Sequence, residues 1–542
     1  MVLQNTKWKF KGTVLPLLGI IVIWGVFILP SSYDPQWFFL DDTFNLLEAK
    51  TLSTDFHFPM PDATFGRYVP AYYLYYAVCF YFFDYNLTGY YIVQSLMFLL
   101  TLFSVYFFIF KVTRSSLSGF FAVFLIVTAS PVAENFYTMG KPEPRILFYL
   151  LCAIYTFIYM DQAMVMKIIP RILSWLTISL LIIISMLTKE TAVVIAVFAA
   201  CGLLLTFLLR EKNTNIDNHS IKLYVYLLVC SVCSLIFVRW LFFILKPENS
   251  QAVYTTYEIN LDLVLNNFWF YVKQQPDVLL FAFMSAVLLI ILYKTKTGMY
   301  RKHLVITTSL FFTALSYILG LLIWRWPMGY YLLVPASFFP ISLTITLSSL
   351  SRSLKSKKII YITLFLVLST RLYSIPYFSY IAHAQKAQNK IYTEAVENYV
   401  QTARPGERLI FEQFAFFSEA VGRTNILIKN ILGKEQLQVE GVWDLLRNMR
   451  ISGDTNLRVP RKGDFILIFN GNRQSPWKLR GVSPFLNEGE SAYKTQGFNL
   501  QEISADEVKW HDMEIDLSYS FPRIRAYSTG YKLYKVISSS GI

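Results

Sequence analysis

Two adjacent carboxylates, Asp41 and Asp42, stand just beyond the first long apolar run, Val14 to Leu29, in the segment Leu40-Asp41-Asp42-Thr43-Phe44. Carboxylates are seldom buried without partners, and an acid held near a membrane face marks a functional site. One such acid can take the proton of a weak nucleophile while its neighbour orients it or holds a cation. Further polar groups recur between later apolar runs. They are Glu134-Asn135-Phe136-Tyr137-Thr138-Met139-Gly140-Lys141-Pro142-Glu143-Pro144-Arg145, the pair Lys189-Glu190, and Trp324-Arg325-Trp326-Pro327-Met328-Gly329-Tyr330-Tyr331.

The elements that position these groups follow from composition. The chain has 542 residues, of which 55% are hydrophobic, which is too apolar for a soluble protein of two or three domains. Apolar runs near the ~20 residues needed to cross ~30 Å of hydrocarbon recur through residue 375 or so. They predict a mainly α, polytopic membrane bundle of about eleven spans. The spans fall near residues 13–30, 89–110, 116–133, 146–161, 172–187, 191–209, 222–245, 277–293, 303–323, 328–349 and 358–375. The first is read as a span and not as a cleaved leader, since no A-x-A-like site follows it.

Orientation follows from the basic residues of the short loops. Lys7, Lys9, Lys11, Lys111, Arg114, Lys167, Arg171, Arg210, Lys212, Lys294, Lys296, Arg301, Lys302, Arg352, Lys355, Lys357 and Lys358 all fall on alternate loops. The positive-inside rule then places the N-terminus in the cytoplasm and the C-terminal part outside a cell (inner, plasma) membrane. Counting the apolar stretch Tyr68–Phe83 as a span would put Lys111 and Arg114 on the wrong side, so it is predicted to lie in the interface. The net charge of +14 is accounted for by this bias and by attraction to anionic lipid, and no nucleic-acid partner is expected. All five cysteines lie in apolar segments, so no disulfide framework is expected, and Cys230-x-x-Cys233 reads as small core residues of a membrane helix.

Residues 1–375 thus form the membrane domain, with a first external loop over 31–88. Composition changes near Tyr373, and residues 385–542 read as a small extracytoplasmic α/β or α+β domain. Its expected elements are a helix over His383–Val400 and strands at Glu407–Phe411, Asp464–Phe469 and Tyr531–Ile537. That domain either caps the bundle or binds an acceptor or partner.

With this topology the acids and bases gather on the external face. The chemistry that fits is sugar transfer from a lipid phosphate whose tail lies in the bilayer. Its phosphate leaving group needs positive charge, which Lys141, Lys189, Arg67 or Arg325 would supply. The acceptor hydroxyl or amine needs a carboxylate base, Asp41 or Asp42. A single displacement would invert the anomeric centre.

These residues resemble the GT-C superfamily of polyprenyl-phosphate-sugar-dependent glycosyltransferases, the group of aminoarabinose transferases and protein O-mannosyltransferases. The likeness covers about 375 residues of membrane part. The family's acid pair opening the first external loop is matched by Asp41-Asp42. Its two interfacial helices are matched by Thr43–Leu52 and Tyr68–Phe83, and the acid of its second loop by Glu143. A lysine after the fifth span is matched by Lys189 in Leu187-Thr188-Lys189-Glu190-Thr191, and a late Tyr-Tyr-Leu-x-x-Pro by Tyr330–Pro335. The resemblance implies a GT-C-like fold, with Asp41, Asp42 and Glu143 catalytic, and Lys189 and Tyr330 join Lys141, Arg325 and Arg67 as candidates around the donor phosphate. It leaves a divalent cation on Asp41, Asp42 and Glu143 open, since several relatives act without one. The implied partners are a polyprenyl-phosphate sugar, membrane lipid, and a glycan, lipid or protein acceptor. No Trp-Trp-Asp-Tyr-Gly occurs, which argues against an oligosaccharyltransferase catalytic subunit.

Plainer readings stand beside these. Asp41 can cap a helix, Glu143 can form an exposed ion pair with Lys141, and Lys189 can pair with Glu190. Arg325 between two tryptophans can be an interfacial anchor. The Asn86-Leu87-Thr88 glycosylation sequon, at a helix junction, reads as incidental. A transporter or lipid-linked-saccharide flippase is the main alternative, and a partner-binding scaffold the next. Against transport, the two halves show no repeat and the charges cluster at span ends.

Overall fold

The computed structural model describes residues 14–37, 42–59, 68–162, 168–209, 215–245, 260–295, 301–324, 327–353, 357–411, 417–441, 460–470, 498–514 and 523–539. It is a polytopic helical bundle followed by a small α/β domain. The helices run in the order α1 (Val14–Phe27), α2 (Asp42–Asp55), α3 (Pro70–Phe83), α4 (Leu87–Thr113), α5 (Ser116–Val127), α6 (Ser130–Phe136), α7 (Glu143–Gln162) and α8 (Ile168–Thr188). They continue with α9 (Val194–Leu208), α10 (Asn215–Leu245), α11 (Leu261–Gln274), α12 (Pro276–Lys294), α13 (Arg301–Leu322), α14 (Leu333–Ser353) and α15 (Lys358–Thr402).

Among the described residues nine helices are long and apolar enough to cross a membrane, ten if a bent pair counts as one. Each of the eleven expected spans has a counterpart, but two differ in form. The described part of α1 has 14 residues, about 21 Å at 1.5 Å per residue. The span expected over 116–133 is broken into α5 and α6, which meet at 65°. Pro131 explains the break: a proline lacks the N–H an interior helical position needs, and is accommodated in a first turn, so a new helix starts there.

The groups freed at the break are bonded by other helices, as they must be in a bundle core. Arg371 of α15 donates through Nη1 to the Leu125 carbonyl at 3.3 Å and to Thr128 Oγ1 at 3.0 Å. Its Nη2 pairs with Asp277 of α12 at 3.4 Å, and Asp277 accepts from Ser130 Oγ of α6 at 3.1 Å. Helix α14 is buried along nearly its whole length at the centre of the bundle. Several of its hydroxyls fold back onto the helix's own carbonyls, as in Ser337 to Leu333 and Thr346 to Ser342, and Ser342 donates to the Thr307 carbonyl of α13 at 3.0 Å.

The stretch expected in the interface is α3, a 14-residue helix. It packs with α2 in a separate apolar cluster built on Leu46, Ala49, Tyr72, Tyr76, Tyr90 and Tyr91. Asn86 of the sequon caps α4, its side chain accepting from the Thr88 N–H at 3.1 Å.

Helix α15 runs unbroken for 45 residues through Pro376, so the expected division between 375 and 385 falls inside one helix. Its far half carries Ile391, Tyr392, Ala395, Val396 and Tyr399 into the core of the α/β domain. That domain adds β1 (Arg408–Phe411), α16 (Phe417–Ile426), β2 (Gln438–Gly441), β3 (Phe465–Asn470), β4 (Phe498–Glu514) and β5 (Arg523–Ser539). The sheet order is β2-β1-β3-β5-β4, with β1 parallel to β2 and β3, and β5 antiparallel to β3 and β4. The three expected strands correspond to β1, β3 and the end of β5. The sequence reading missed β2 and β4.

Candidate active site

Of the expected site residues, Asp41, Arg67 and Arg325 lie outside the described residues. The other five lie at the bundle end next to the α/β domain. Glu143 opens α7, where the exposed amides of a first helical turn favour an acid. Lys189 occupies the extended link between α8 and a short 3-10 turn, Glu190–Val193. Its Nζ lies 2.5 Å from Glu143 Oε1, with the lysine side chain 8% exposed and the glutamate 0%. Two plainer readings are thereby corrected. Glu143 is not in a solvated pair with Lys141, and Lys189 reaches across to Glu143 and not to its neighbour Glu190. The physical reason is burial: both charges are out of water, and each is tolerated there only against an opposite charge.

Two adjacent tyrosines seat the two lysines. Lys141 Nζ lies 4.3 Å from the centroid of the Tyr330 ring, and Lys189 Nζ 4.3 Å from that of Tyr331. Desolvated ammonium groups over aromatic faces are held by the ring quadrupole, by about 2 kcal/mol. The tyrosines lie on a 3-10 turn, Gly329–Leu332, that leads into α14. Asn135 of α6 fixes this turn by donating to the Tyr330 carbonyl at 2.9 Å. Gln94 of α4 in turn donates to the carbonyls of Asn135 and Thr138, at 3.0 and 3.1 Å.

Gly329 is where the turn comes closest to α6. A Cβ there would lie 2.6 Å from Gln275 Nε2 and closer still to Glu134 Oε1. Both are buried, and Gln275 donates to Glu134 at 3.4 Å and accepts from Ser130. Gly329→Ala is therefore expected to cost about 1–3 kcal/mol by overpacking and to displace the lysine-bearing tyrosines. A melting temperature in detergent equal to the wild type's would contradict this.

Arg145, which sequence reasoning passed over, organises the other side. It is 1% exposed, with its guanidinium carbon 3.9, 4.6 and 5.3 Å from the ring centroids of Tyr75, Tyr76 and Tyr72 of α3. It donates to the Lys141 carbonyl at 2.7 Å and to the Tyr76 hydroxyl at 2.9 Å. Burial raises the Tyr76 phenol to about 12, against the pull of Arg145, so Tyr76 stays a neutral donor. Its hydroxyl donates to the Met139 carbonyl at 2.5 Å, and that of Tyr72 to the Gly140 carbonyl at 2.8 Å. The segment 139–141 is thus pinned by three side-chain donors. Arg145 directly precedes the apolar run that begins at Ile146, where a charge is costly unless partnered, and that was the signal for it.

Asp42 begins α2 and is fully buried. The phenols of Tyr76, Tyr91 and Tyr392 are within electrostatic reach of its carboxylate. One turn along, Asn45 donates to the Tyr72 hydroxyl at 2.9 Å, so two consecutive hydrogen bonds join the Asp42 helix to the Lys141 segment. The structure therefore brings Asp42, Lys141, Glu143, Lys189 and Tyr330 into one connected framework. The cation set of Asp41, Asp42 and Glu143 includes a residue outside the described ones. Among the described residues no three His, Cys, Asp or Glu side chains cluster as a metal site would require.

No protein-family model matches the chain, and no curated protein sequence matches it. Solved structures with a related arrangement include ArnT from Cupriavidus metallidurans bound to undecaprenyl phosphate, at 10% identity and a TM-score of 0.49 over 95% of this chain and 97% of that one. The apo state of the same protein gives 12% identity and a TM-score of 0.46 over the same shares. The arabinofuranosyltransferase AftD from Mycobacteria gives 10% and 0.45, over 98% of this chain and 40% of that one. Likeness of this degree does not fix an activity, which has to come from the site's own residues.

Proposed function

We propose that this chain is a membrane glycosyltransferase that moves a sugar from a polyprenyl phosphate, or a related lipid phosphate, to an acceptor at the external face. The observation that carries this reading is the pair of buried ammonium groups, Lys141 and Lys189, seated on Tyr330 and Tyr331 beside Glu143. An ammonium resting on a ring face keeps N–H bonds on its other side that can meet the oxygens of an anionic leaving group. The motif order of the sequence supports the same chemistry, with the acid pair, Glu143, Lys189 and Tyr330–Pro335 all on one predicted face.

In the proposed reaction the acceptor oxygen or nitrogen attacks the anomeric carbon from the side opposite the phosphate. Its proton passes to the carboxylate of Asp41, with Asp42 beside it. The bond from the anomeric carbon to the phosphate oxygen breaks with its electron pair on that oxygen, and the charge that develops falls to Lys141 and Lys189. Glu143 holds Lys189 in place. One displacement inverts the anomeric configuration. The external side rests on the positive-inside pattern of the loops.

The test is mass spectrometry of polyprenyl-linked sugars in a strain lacking this protein. One polyprenyl-phosphate sugar is expected to accumulate while a glycoside of the same sugar disappears. An unchanged lipid-sugar pool would overturn the reading. So would purified protein that carries lipid-linked saccharide across a bilayer without forming a glycoside.

A further inference from the structure

The α/β domain grips the segment on either side of the acid pair. Upstream, the Trp37 N–H donates to Thr393 Oγ1 of α15 at 3.1 Å, and the Tyr33 carbonyl accepts from Lys386 Nζ at 2.7 Å. Downstream, Thr43 Oγ1, one residue past Asp42, donates to the Arg423 carbonyl of α16 at 3.0 Å. The Arg423 guanidinium lies 3.9 Å from the centroid of the Phe44 ring. It also acts on half-buried Glu48, one turn further, whose carboxyl burial pushes upward while Arg423 pulls it back. Behind this seam the buried hydroxyls of Tyr392 and Thr424 bond each other at 2.9 Å, and Asp42 is within electrostatic reach of Tyr392. Trp37 packs into the core of the α/β domain and into the α2–α3 cluster at once.

We infer that the α/β domain is a clamp on the start of α2, which Asp42 opens, with Thr393 and Thr43 as positioning residues that fix its first turn. This rests on the proposed role of Asp41 and Asp42 in sugar transfer. Helix α2 has 14 residues, close to the marginal length for an isolated helix, about 12–15 residues. On one side it leans on the α3 tyrosines; the seam supplies the other side. A base must lie within about 3 Å of the proton it takes, and an error of about 1 Å can slow a reaction about 10²-fold. The unbroken α15 links this seam to the bundle, since one helix carries Arg371 in the membrane core and Thr393 at the clamp.

The test uses full-length Thr43→Val and Thr393→Val, which keep side-chain volume and remove the hydroxyl, with Thr43→Ser and Thr393→Ser as controls that keep it. Membrane vesicles from the deletion strain, holding their own accumulated lipid-linked sugar, serve as the donor source once each variant is introduced. Both valine variants are expected to lower the initial rate of glycoside formation about 10-fold or more, and both serine variants to restore it. Hydrogen exchange of the peptide spanning α2 should rise in the valine variants and return in the serine ones. Valine variants with wild-type rates and exchange, alongside an inactive Asp41→Asn, would overturn the clamp and leave the chemistry standing. Wild-type rates in both Asp41→Asn and Asp42→Asn would overturn the chemistry beneath it.

Discussion

Asn in place of Asp41 is expected to slow sugar transfer by about 10²–10⁴-fold, the usual worth of a positioned general base, with the protein still inserted at wild-type levels. The amide keeps the size of the side chain and its ability to accept a hydrogen bond, so a capping role would survive the change, whereas proton transfer would not. Asp42→Asn is the informative companion. Asp42 is fully buried in the first turn of α2, where a negative charge is favoured by about 0.3–1 kcal/mol. Its loss should therefore show as a lower melting temperature together with a partial loss of transfer. Rates measured in vesicles and melting measured in detergent separate the two effects. If Asp42→Asn is the inactive variant and Asp41→Asn transfers normally, the two acids exchange roles. If both transfer normally, the acid pair has no part in the reaction.

The fold was legible wherever one period or one long apolar run decides the element. The loop lysines and arginines alone kept Tyr68–Phe83 out of the span count, and α3 is a short helix packed on α2. What stayed hidden was mostly the product of pairings between distant residues. The partner of Lys189 lies 46 positions away in Glu143, and sequence adjacency pointed to Glu190 instead. Arg371 and Asp277 are 94 positions apart, yet each is a charge within or at the head of an apolar run, and their costs together were a signal that they meet. The division near Tyr373 followed a change of polarity, but α15 continues through it and through Pro376. The strand β4 escaped because its stretch Gln501–Glu507 is largely exposed, and an exposed strand has no apolar alternation to read.

Within the site, the identities of Lys141, Glu143, Lys189 and Tyr330 were readable as types in order, whereas their geometry was not. The tyrosine seats and the Arg145 pin depend on α3 and α14 folding against α7. Those seats turn two loop lysines into a fixed array, and fixed charge is what stabilises a leaving phosphate without reorganisation at the moment of reaction.

The buried pair Glu143–Lys189 offers the sharpest separation of fold from chemistry. Lys189→Met keeps much of the side-chain length over Tyr331 but leaves Glu143 without its cation. Glu143 is 0% exposed, and its Oε2 has no hydrogen-bond partner among the described residues. Removing one member of such a pair costs about 3–5 kcal/mol, and a melting temperature in detergent should fall accordingly. Glu143→Gln added to Lys189→Met replaces the stranded carboxylate with a neutral amide and should recover most of that loss, because a buried pair deleted from both sides is close to neutral. Sugar transfer should not recover with it. Loss of one preorganised donor to a developing anion lowers a rate by about 10²–10³-fold, and the double variant still lacks that donor. Stability restored with transfer still absent assigns Lys189 to the phosphate. Transfer that returns together with stability makes the pair a structural strut and removes Lys189 from the reaction.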